Sequence, residues 1–193
     1  MSDAMFDSPE KMLRKILPNG SSALDVGSGD GKRDSLYVIL KEKGYKIQAL
    51  DADKNVLKSN DADSKDVFDL NKSLEFKENA FDLVVAREII EHLDNRRNLV
   101  MEIYKVLKPG GYALITTPNK HCLLGWCEIL RGKGWKGWND DHKYLYTRKE
   151  VRKLFSDVGF SIKGDIGVFP IYYANFTFPI KEICADMVFL LRK

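Results

Sequence analysis

Apolar residues recur along the chain at two spacings, one helical and one extended, and the breaks between them alternate the two. Ser8-Pro9-Glu10 supplies an N-cap, a proline at the first helical position and an acid in the first turn. Met12, Leu13, Ile16 and Leu17 follow at helical spacing before Pro18-Asn19-Gly20 stops the helix. Ala23-Leu24-Asp25-Val26 then reads as a strand running into Gly27-Ser28-Gly29-Asp30-Gly31, and Leu36, Val38, Ile39 and Leu40 as a helix ending at Gly44. Ile47 to Leu50 alternates into Asp51, a helix covers Asn55 to Lys58, and Val67-Phe68 forms a short third strand before Asp69. The β-branched run Phe81 to Val85 is a buried fourth strand, continued by a helical stretch through Ile89, Ile90 and Leu93.

Asp94 is expected to cap the next helix, whose apolar face is Leu99, Val100, Ile103, Val106 and Leu107 and which Pro109-Gly110-Gly111 terminates. Tyr112 to Thr117 is a fifth strand. Thr147-Arg148-Lys149-Glu150 is a capping box opening a helix with Val151, Leu154, Phe155 and Val158, closed by Gly159. Strands also fit Phe160 to Lys163 and Met187 to Leu191. Strands alternating with helices imply an α/β fold with a parallel sheet covered on both faces, in which ligands bind beyond the carboxyl ends of the strands. Residues 119–146 show no clear periodicity and follow the fifth strand, on that ligand side.

Composition narrows the class without naming a partner. The chain has 193 residues, 44% hydrophobic and 31% charged, as expected for a single globular domain over 1–193, and its net charge of +3 demands no nucleic acid. Cys122, Cys127 and Cys184 have no CxxC spacing, so neither a disulfide framework nor a structural zinc site is indicated. The first residues, MSDAMFDSPEKML, lack the basic start and apolar run of a signal peptide, which makes the cytoplasm the expected location. The most apolar stretch, 166–180, is broken by Pro170, Asn175 and Thr177 and falls short of the ~20 residues that cross a bilayer.

The glycine loop follows a strand and opens a helix, the setting of a phosphate or nucleotide cradle. A P-loop needs a glycine where Val26 stands and a Ser or Thr where Arg33 stands; a dinucleotide fingerprint needs glycine at Lys32. Asp25 and Asp30 flank the loop, where they repel a pyrophosphate but suit a ligand carrying an ammonium and a sulfonium. S-adenosylmethionine is such a ligand, with a carboxylate for helix N–H groups and ribose hydroxyls for Asp51, which ends the next strand.

LDVGSGDG, ALDAD, VFDLNKSLEFKENAFDLVVAREIIEHL, LKPGGYALITTPN and HKYLYTRKEVRKLFSDVGF together resemble the class I S-adenosylmethionine-dependent methyltransferases, a group that includes the ubiquinone and menaquinone biosynthesis enzymes. The resemblance covers most of the chain. It implies a Rossmann-like, seven-stranded, mostly parallel sheet whose last strand is antiparallel. It also implies a cofactor site of Asp25, Gly27, Ser28, Gly29, Gly31, Asp51, Ala52, Asp69, Leu70, Ala86 and Arg87. Within it, Asp51 would hold the ribose, Asp69 the adenine amine with Leu70 beside it, and Gly27 and Gly29 the methionyl part. Ala86 and Arg87 would pass near the methyl donor, and Asp82 would fix the turn into the fourth strand. The product would be S-adenosylhomocysteine.

Methyl transfer is an in-line displacement for which the protein supplies alignment, desolvation and sometimes a base. His92, His121 and His142 all follow the fourth or fifth strand. His142, in DDHKYLYT between Asp141 and the late helix, is the leading candidate base, where the resemblance places a histidine near the acceptor pocket of several O-methylating relatives. Glu88 is a second candidate, as a polar pocket residue. His92 is a third, with orientation of the helix after the fourth strand as its structural alternative. An Asn/Asp-Pro-Pro-aromatic run for base amines is absent, the place reading Ala86-Arg87-Glu88-Ile89, and there is no Pro-Cys dipeptide. Asn119 with Glu88 is too little to indicate a metal. Residues 119–146 gather Trp126, Trp135 and Trp138 with Lys120, Arg131, Lys133 and Lys136, which fits best a substrate lid, with an interfacial membrane contact, an aromatic-basic surface for single-stranded nucleic acid or a packed insertion as the alternatives. Phe169 to Ile180 would extend its apolar wall. The expected activity is O-methylation of a small or lipid-linked acceptor, with nucleic acid disfavoured. An RNA or protein methyltransferase, or an inactive cofactor-binding partner subunit, are the alternatives.

Overall fold

The computed structural model describes residues 8–31, 35–137, 139–171, 174–177 and 183–193. Lys32, Arg33, Trp138 and the side chains proposed for an apolar wall over 169–180 lie outside what is described. In chain order the elements are α1 (Pro9–Ile16), β1 (Ser22–Val26), α2 (Ser35–Glu42), β2 (Lys46–Asp51), α3 (Lys54–Lys58), β3 (Ser64–Val67) and β4 (Phe81–Arg87). Then come α4 (Arg96–Val106), β5 (Leu107–Pro118), α5 (Leu123–Leu130), α6 (Arg148–Val158), β6 (Ser161–Ile171), β7 (Ala174–Thr177) and β8 (Asp186–Arg192).

The strands lie in the order β3-β2-β1-β4-β5-β8-β6-β7. β3, β2, β1, β4 and β5 are mutually parallel, and β8 is antiparallel to both β5 and β6. This is the seven-stranded sheet with an antiparallel last strand, to which the short β7 adds an edge hairpin with β6. The chain leaves β1 toward β2 and β3, then returns to the other side of β1 as β4. The carboxyl ends of β1 and β4 therefore flank the switch in strand order, where α/β sheets open a ligand crevice.

Alternation along the strands sends side chains to two cores. Leu24, Val26, Val84, Ala86, Ala113, Ile115, Met187 and Phe189 pack with Leu99, Ile103, Val151 and Phe155 of α4 and α6. Leu83, Val85, Leu114, Val188 and Leu190 pack with Met12, Leu13, Leu36 and Ile39 of α1 and α2. The same parity puts Asp25, Arg87 and Thr116, near the carboxyl ends of their strands, and Asp186, at the amino end of the antiparallel β8, on the α1–α2 side. Asp82 ties the opposite end of β4 to β1: its Oδ2 accepts from the N–H and hydroxyl groups of Ser21 and Ser22 at 2.7–3.0 Å, while Lys108 Nζ meets Oδ1 at 2.7 Å.

Several local expectations shift. Val38 is 53% exposed and belongs to the solvent face of α2. The third strand is Ser64–Val67 and ends before Phe68. Residues 89–93 form turns instead of a helix, because Glu88 enters the left-handed region at φ +51° and redirects the chain. The cap of α4 is Asn95, whose side chain accepts from Asn98 N–H, while Asp94 pairs with Lys143 at 2.8 Å. That helix ends at Val106 because Leu107 already pairs with Phe81; Pro109-Gly110-Gly111 lies inside β5, where the register with β4 slips. The capping box of α6 and the left-handed Gly159 cap are as expected.

Candidate functional site

The loop after β1 is pinned to the end of β2. The N–H groups of Gly27 and Ser28 donate to the Leu50 carbonyl at 2.8 and 3.0 Å. Gly29 N–H donates to Asp51 Oδ2 at 3.0 Å, and Asp53 N–H donates to Asp51 Oδ1 at 2.9 Å. Both oxygens of Asp51 are thus oriented by backbone donors with lone pairs to spare, and exposed Ala52 lies beside it. Gly27 has φ +70°, and a Cβ there would stand 2.1 Å from Ile89 Cδ1. Gly29 has φ +59°, but a Cβ there would meet nothing within 4 Å. The loop is packed from below by Ile89 and open above Gly29, with the Asp51 carboxylate at one end. These residues fit S-adenosylmethionine.

Buried Asn60, which sequence reasoning missed, holds the loop from just past α3: its amide donates to Ser28 Oγ at 3.2 Å and the Gly29 carbonyl at 3.0 Å, and Gly31 lies against it. Leu70 reaches to within 3.5 Å of the Gly27 Cβ position. Asp69, exposed past the end of β3, accepts from the Asn71 N–H and side-chain amide, which hold its carboxyl below the usual range. Asp25 is buried within the α1–α2 side: Tyr37 donates its hydroxyl to Oδ2 at 2.8 Å, and Arg87 Nη2 lies 3.7 Å from the same oxygen. Burial, then the Asp25 charge, push the Tyr37 phenol far up, so it stays a donor. Asp25 therefore acts on the site through Arg87. Ala86 is fully buried in the core on the opposite face.

Arg87 also lines a cavity of about 350 Å³ beneath α1 and α2, at the carboxyl ends of β4 and β5 and the amino end of the antiparallel β8. Its floor is Leu13, Leu36, Ile39, Leu114 and Val188, and its polar rim includes Glu10, Arg87, Glu88, Thr116 and Asp186. Thr116 donates its hydroxyl to Glu88 Oε1 at 2.6 Å, and Glu88 N–H reaches back to the Thr116 carbonyl at 3.2 Å. Burial, then the Glu91 and Asp186 carboxylates, push Glu88 well above the ordinary carboxyl range.

Of the three candidate bases, Glu88 reaches this cavity. His142 lines a second cavity, of about 460 Å³, with Lys120, His121, Trp126, Trp135 and Lys136 of the 119–146 segment. Its Nδ1 donates to the Lys136 carbonyl at 2.7 Å, and its ring packs edge-on to His92 with centroids 4.6 Å apart. Burial, then the adjacent His142, lower the His92 imidazole. Below both rings lies fully buried Glu91, which accepts from the Thr117 hydroxyl at 3.0 Å and whose carboxyl burial pushes up. Glu91 and Asp186 were not legible as site residues, since a single acid among apolar neighbours has no spacing signature. The one available signal was that Glu91 shares a short apolar run with Glu88 and His92.

The 119–146 segment contains a helix where no periodicity suggested one. Gly125 of α5 seats the Trp135 ring, whose Nε1 donates to the Asn119 carbonyl at 3.3 Å. Leu123, Leu124, Trp126, Ile129 and Leu130 remain exposed. Among the described residues no helix is long and apolar enough to cross a membrane.

Comparison with known proteins agrees with the geometry. The methyltransferase domain family matches residues 1–163. Phosphoethanolamine N-methyltransferase 2 of Caenorhabditis elegans is 27% identical over 197 residues, covering 96% of this chain and 41% of that protein. Ubiquinone biosynthesis O-methyltransferase of Rickettsia canadensis is 28% identical over 153 residues, covering 72% of this chain and 62% of that protein. The chain therefore spans less than two thirds of these two relatives. A solved S-adenosylmethionine-dependent methyltransferase from Thermotoga maritima, described as a possible histamine N-methyltransferase, superposes with a TM-score of 0.71 at 16% identity, covering 95% of this chain and 87% of that one. The chain belongs to the methyltransferase domain family and has the Rossmann-like fold of the class I methyltransferases. Its cofactor is S-adenosylmethionine.

Proposed function

We propose that the chain methylates an oxygen of a small or lipid-linked acceptor held in the cavity beneath α1 and α2. The carrying observation is that cavity itself: an apolar floor with the Glu88–Thr116 hydrogen bond on its rim, joined to the cofactor loop through Arg87 and Asp25. Its volume of about 350 Å³ suits a small ring or chain end. Bound S-adenosylmethionine supplies the electrophilic methyl group. Asp51 orients the ribose and Asp69 the adenine amine, while Gly27, Ser28, Gly29 and Gly31 shape the methionyl cradle. Glu88 and Thr116 direct an acceptor hydroxyl by hydrogen bonding, which raises electron density on the attacking oxygen, and the apolar floor excludes water. Relatives named for phosphoethanolamine and for ubiquinone biosynthesis support a small-molecule acceptor.

A lipid-linked acceptor is favoured by α5, whose exposed Leu123, Leu124, Trp126, Ile129 and Leu130 stand beside Lys120, Lys133 and Lys136. That combination suits an anionic lipid surface. The test incubates purified chain and methyl-labelled S-adenosylmethionine with a polyprenylated catechol, a soluble catechol, phosphoethanolamine and an RNA. Label on a catechol oxygen supports the proposal. Label confined to the amine or the RNA overturns it, and cofactor binding without any turnover points to an inactive partner subunit.

A further inference from the structure

A line of polar side chains crosses the otherwise apolar core between α2 and the sheet. Tyr37 of α2 is buried there, yet its hydroxyl donates to buried Asp25 Oδ2 at 2.8 Å. The same hydroxyl meets the side chain of Asn60, whose amide holds Ser28 Oγ at 3.2 Å and the Gly29 carbonyl at 3.0 Å. Beyond Asp25, Arg87 Nη2 lies 3.7 Å from the oxygen that Tyr37 bonds. The order Asn60–Tyr37–Asp25–Arg87 therefore links the glycine loop to the end of β4. We propose that Tyr37, backed by Asn60, is a positioning residue that sets Arg87 through Asp25, so that the guanidinium takes the carboxylate of the S-adenosylmethionine amino-acid chain.

Strand register gives Arg87 its place. Val26 pairs with Ala86, so Arg87 stands abreast of Gly27 at the switch in strand order. A guanidinium carries several N–H donors in a planar fork, so one edge can face Asp25 while another takes a carboxylate. The Arg87 side chain is 31% exposed and that of Asp25 only 1%, so the cation reaches the crevice and the anion stays behind it. Asp25 alone would repel a carboxylate; behind Arg87 it instead holds the guanidinium in place. This role for Arg87 rests on the placement of the methionyl chain along Gly27, Ser28, Gly29 and Gly31, and it is independent of which acceptor is methylated.

Tyr37 is what makes that arrangement definite. A buried carboxylate stays ionised only when it is hydrogen-bonded and paired. The Tyr37 phenol, kept protonated first by burial and then by the Asp25 charge, supplies a permanent donor. Its ring is locked in the core, so the donor fixes the oxygen that faces Arg87. Because Asn60 touches both this hydroxyl and the loop backbone, the loop and Arg87 are held in one frame.

The test measures calorimetric binding of two ligands to the full chain: S-adenosylmethionine and its decarboxylated form, which keeps the sulfonium, ammonium, ribose and adenine and lacks only the carboxylate. The parent chain is expected to bind the decarboxylated ligand about 10- to 150-fold more weakly, the range for one charged hydrogen-bonded contact. Arg87→Ala should weaken S-adenosylmethionine by a similar factor and bind the decarboxylated ligand no more weakly than the parent does. Tyr37→Phe keeps the buried ring and should weaken S-adenosylmethionine at least about threefold, again sparing the decarboxylated ligand, and it should add nothing to Arg87→Ala in the double variant. Retained binding of the decarboxylated ligand shows in the same titration that each variant is folded. Asp51→Asn should weaken both ligands alike, since they share the ribose. S-adenosylmethionine affinity indifferent to Arg87→Ala or to Tyr37→Phe, an equal loss of both ligands in Tyr37→Phe, or additive losses in the double variant would each overturn the proposal and leave the cofactor placement standing. An Asp51→Asn chain that binds both ligands as the parent does would refute that placement, and the proposal with it.

Discussion

Replacing Asp51 by Asn tests the cofactor site at the residue whose geometry is most demanding. Oδ2 accepts the Gly29 N–H at 3.0 Å and Oδ1 the Asp53 N–H at 2.9 Å, so each oxygen already serves a backbone donor and offers its remaining lone pairs to a ribose hydroxyl. An amide has one acceptor oxygen, and its NH₂ group must face either a backbone N–H or a hydroxyl that was donating. Hydrogen bonds to a charged acceptor contribute about 1.5–3 kcal/mol each, and some of that returns when a hydroxyl turns to accept. The net loss is about 2–4 kcal/mol, or a Kd for S-adenosylhomocysteine weakened about 30- to 700-fold. Calorimetry with the product measures it, and thermal unfolding of both proteins reports whether the loop itself loosens. A folded Asp51→Asn protein whose Kd stays within about threefold of the parent would refute this placement of the ribose.

Asp82→Ala should lower stability by about 2–4 kcal/mol, because it strips a partly buried carboxylate from two serines and Lys108; chemical denaturation at neutral pH checks this. The same carboxyl gives a pH dependence with a defined sign. Burial opposes its ionisation, but Lys108, Ser21 and Ser22 outweigh that and depress its folded pKa. The stabilisation is therefore complete at neutral pH and declines as pH falls below about 5, and the denaturation midpoint of the Ala variant should fall less steeply there. Gly27→Ala should abolish cofactor binding, since its Cβ would meet Ile89 at 2.1 Å and φ is +70°; Ile89→Ala in the same chain should relieve the clash but not the backbone strain, restoring binding in part. Glu88→Gln should lower turnover at least about tenfold with the Kd for the product unchanged, and equal turnover in stopped assays would remove Glu88 from the reaction.

The readable part of the protein was that specified over short stretches. The capping box at Thr147–Glu150 formed as expected because both partners lie within one turn, and the glycine loop is legible because its backbone angles need glycine. Where a local pattern was ambiguous, pairing with distant chain decided. Asp94 caps nothing because Lys143 claims it, and the Pro109-Gly110-Gly111 breaker sits inside a strand because Leu107 is held by Phe81. The run through Ile89, Ile90 and Leu93 has helical spacing, yet Glu88 at φ +51° and the Ile89 contact with the Gly27 position turn it aside.

By itself, then, the sequence determined an α/β chain with an anion-repelling glycine loop and an acid at the end of the next strand, because hydrophobic period and side-chain chemistry act locally. The tertiary structure alone decided which polar groups meet. Strand register sends Arg87, Thr116 and Asp186 to one face and Thr117 to the other. The fold of the 119–146 segment then lowers His142 onto Glu91 and His92 and leaves Glu88 at the cavity beneath α1 and α2. Such meetings depend on three-dimensional closure between segments far apart in the chain, which no spacing within either segment encodes.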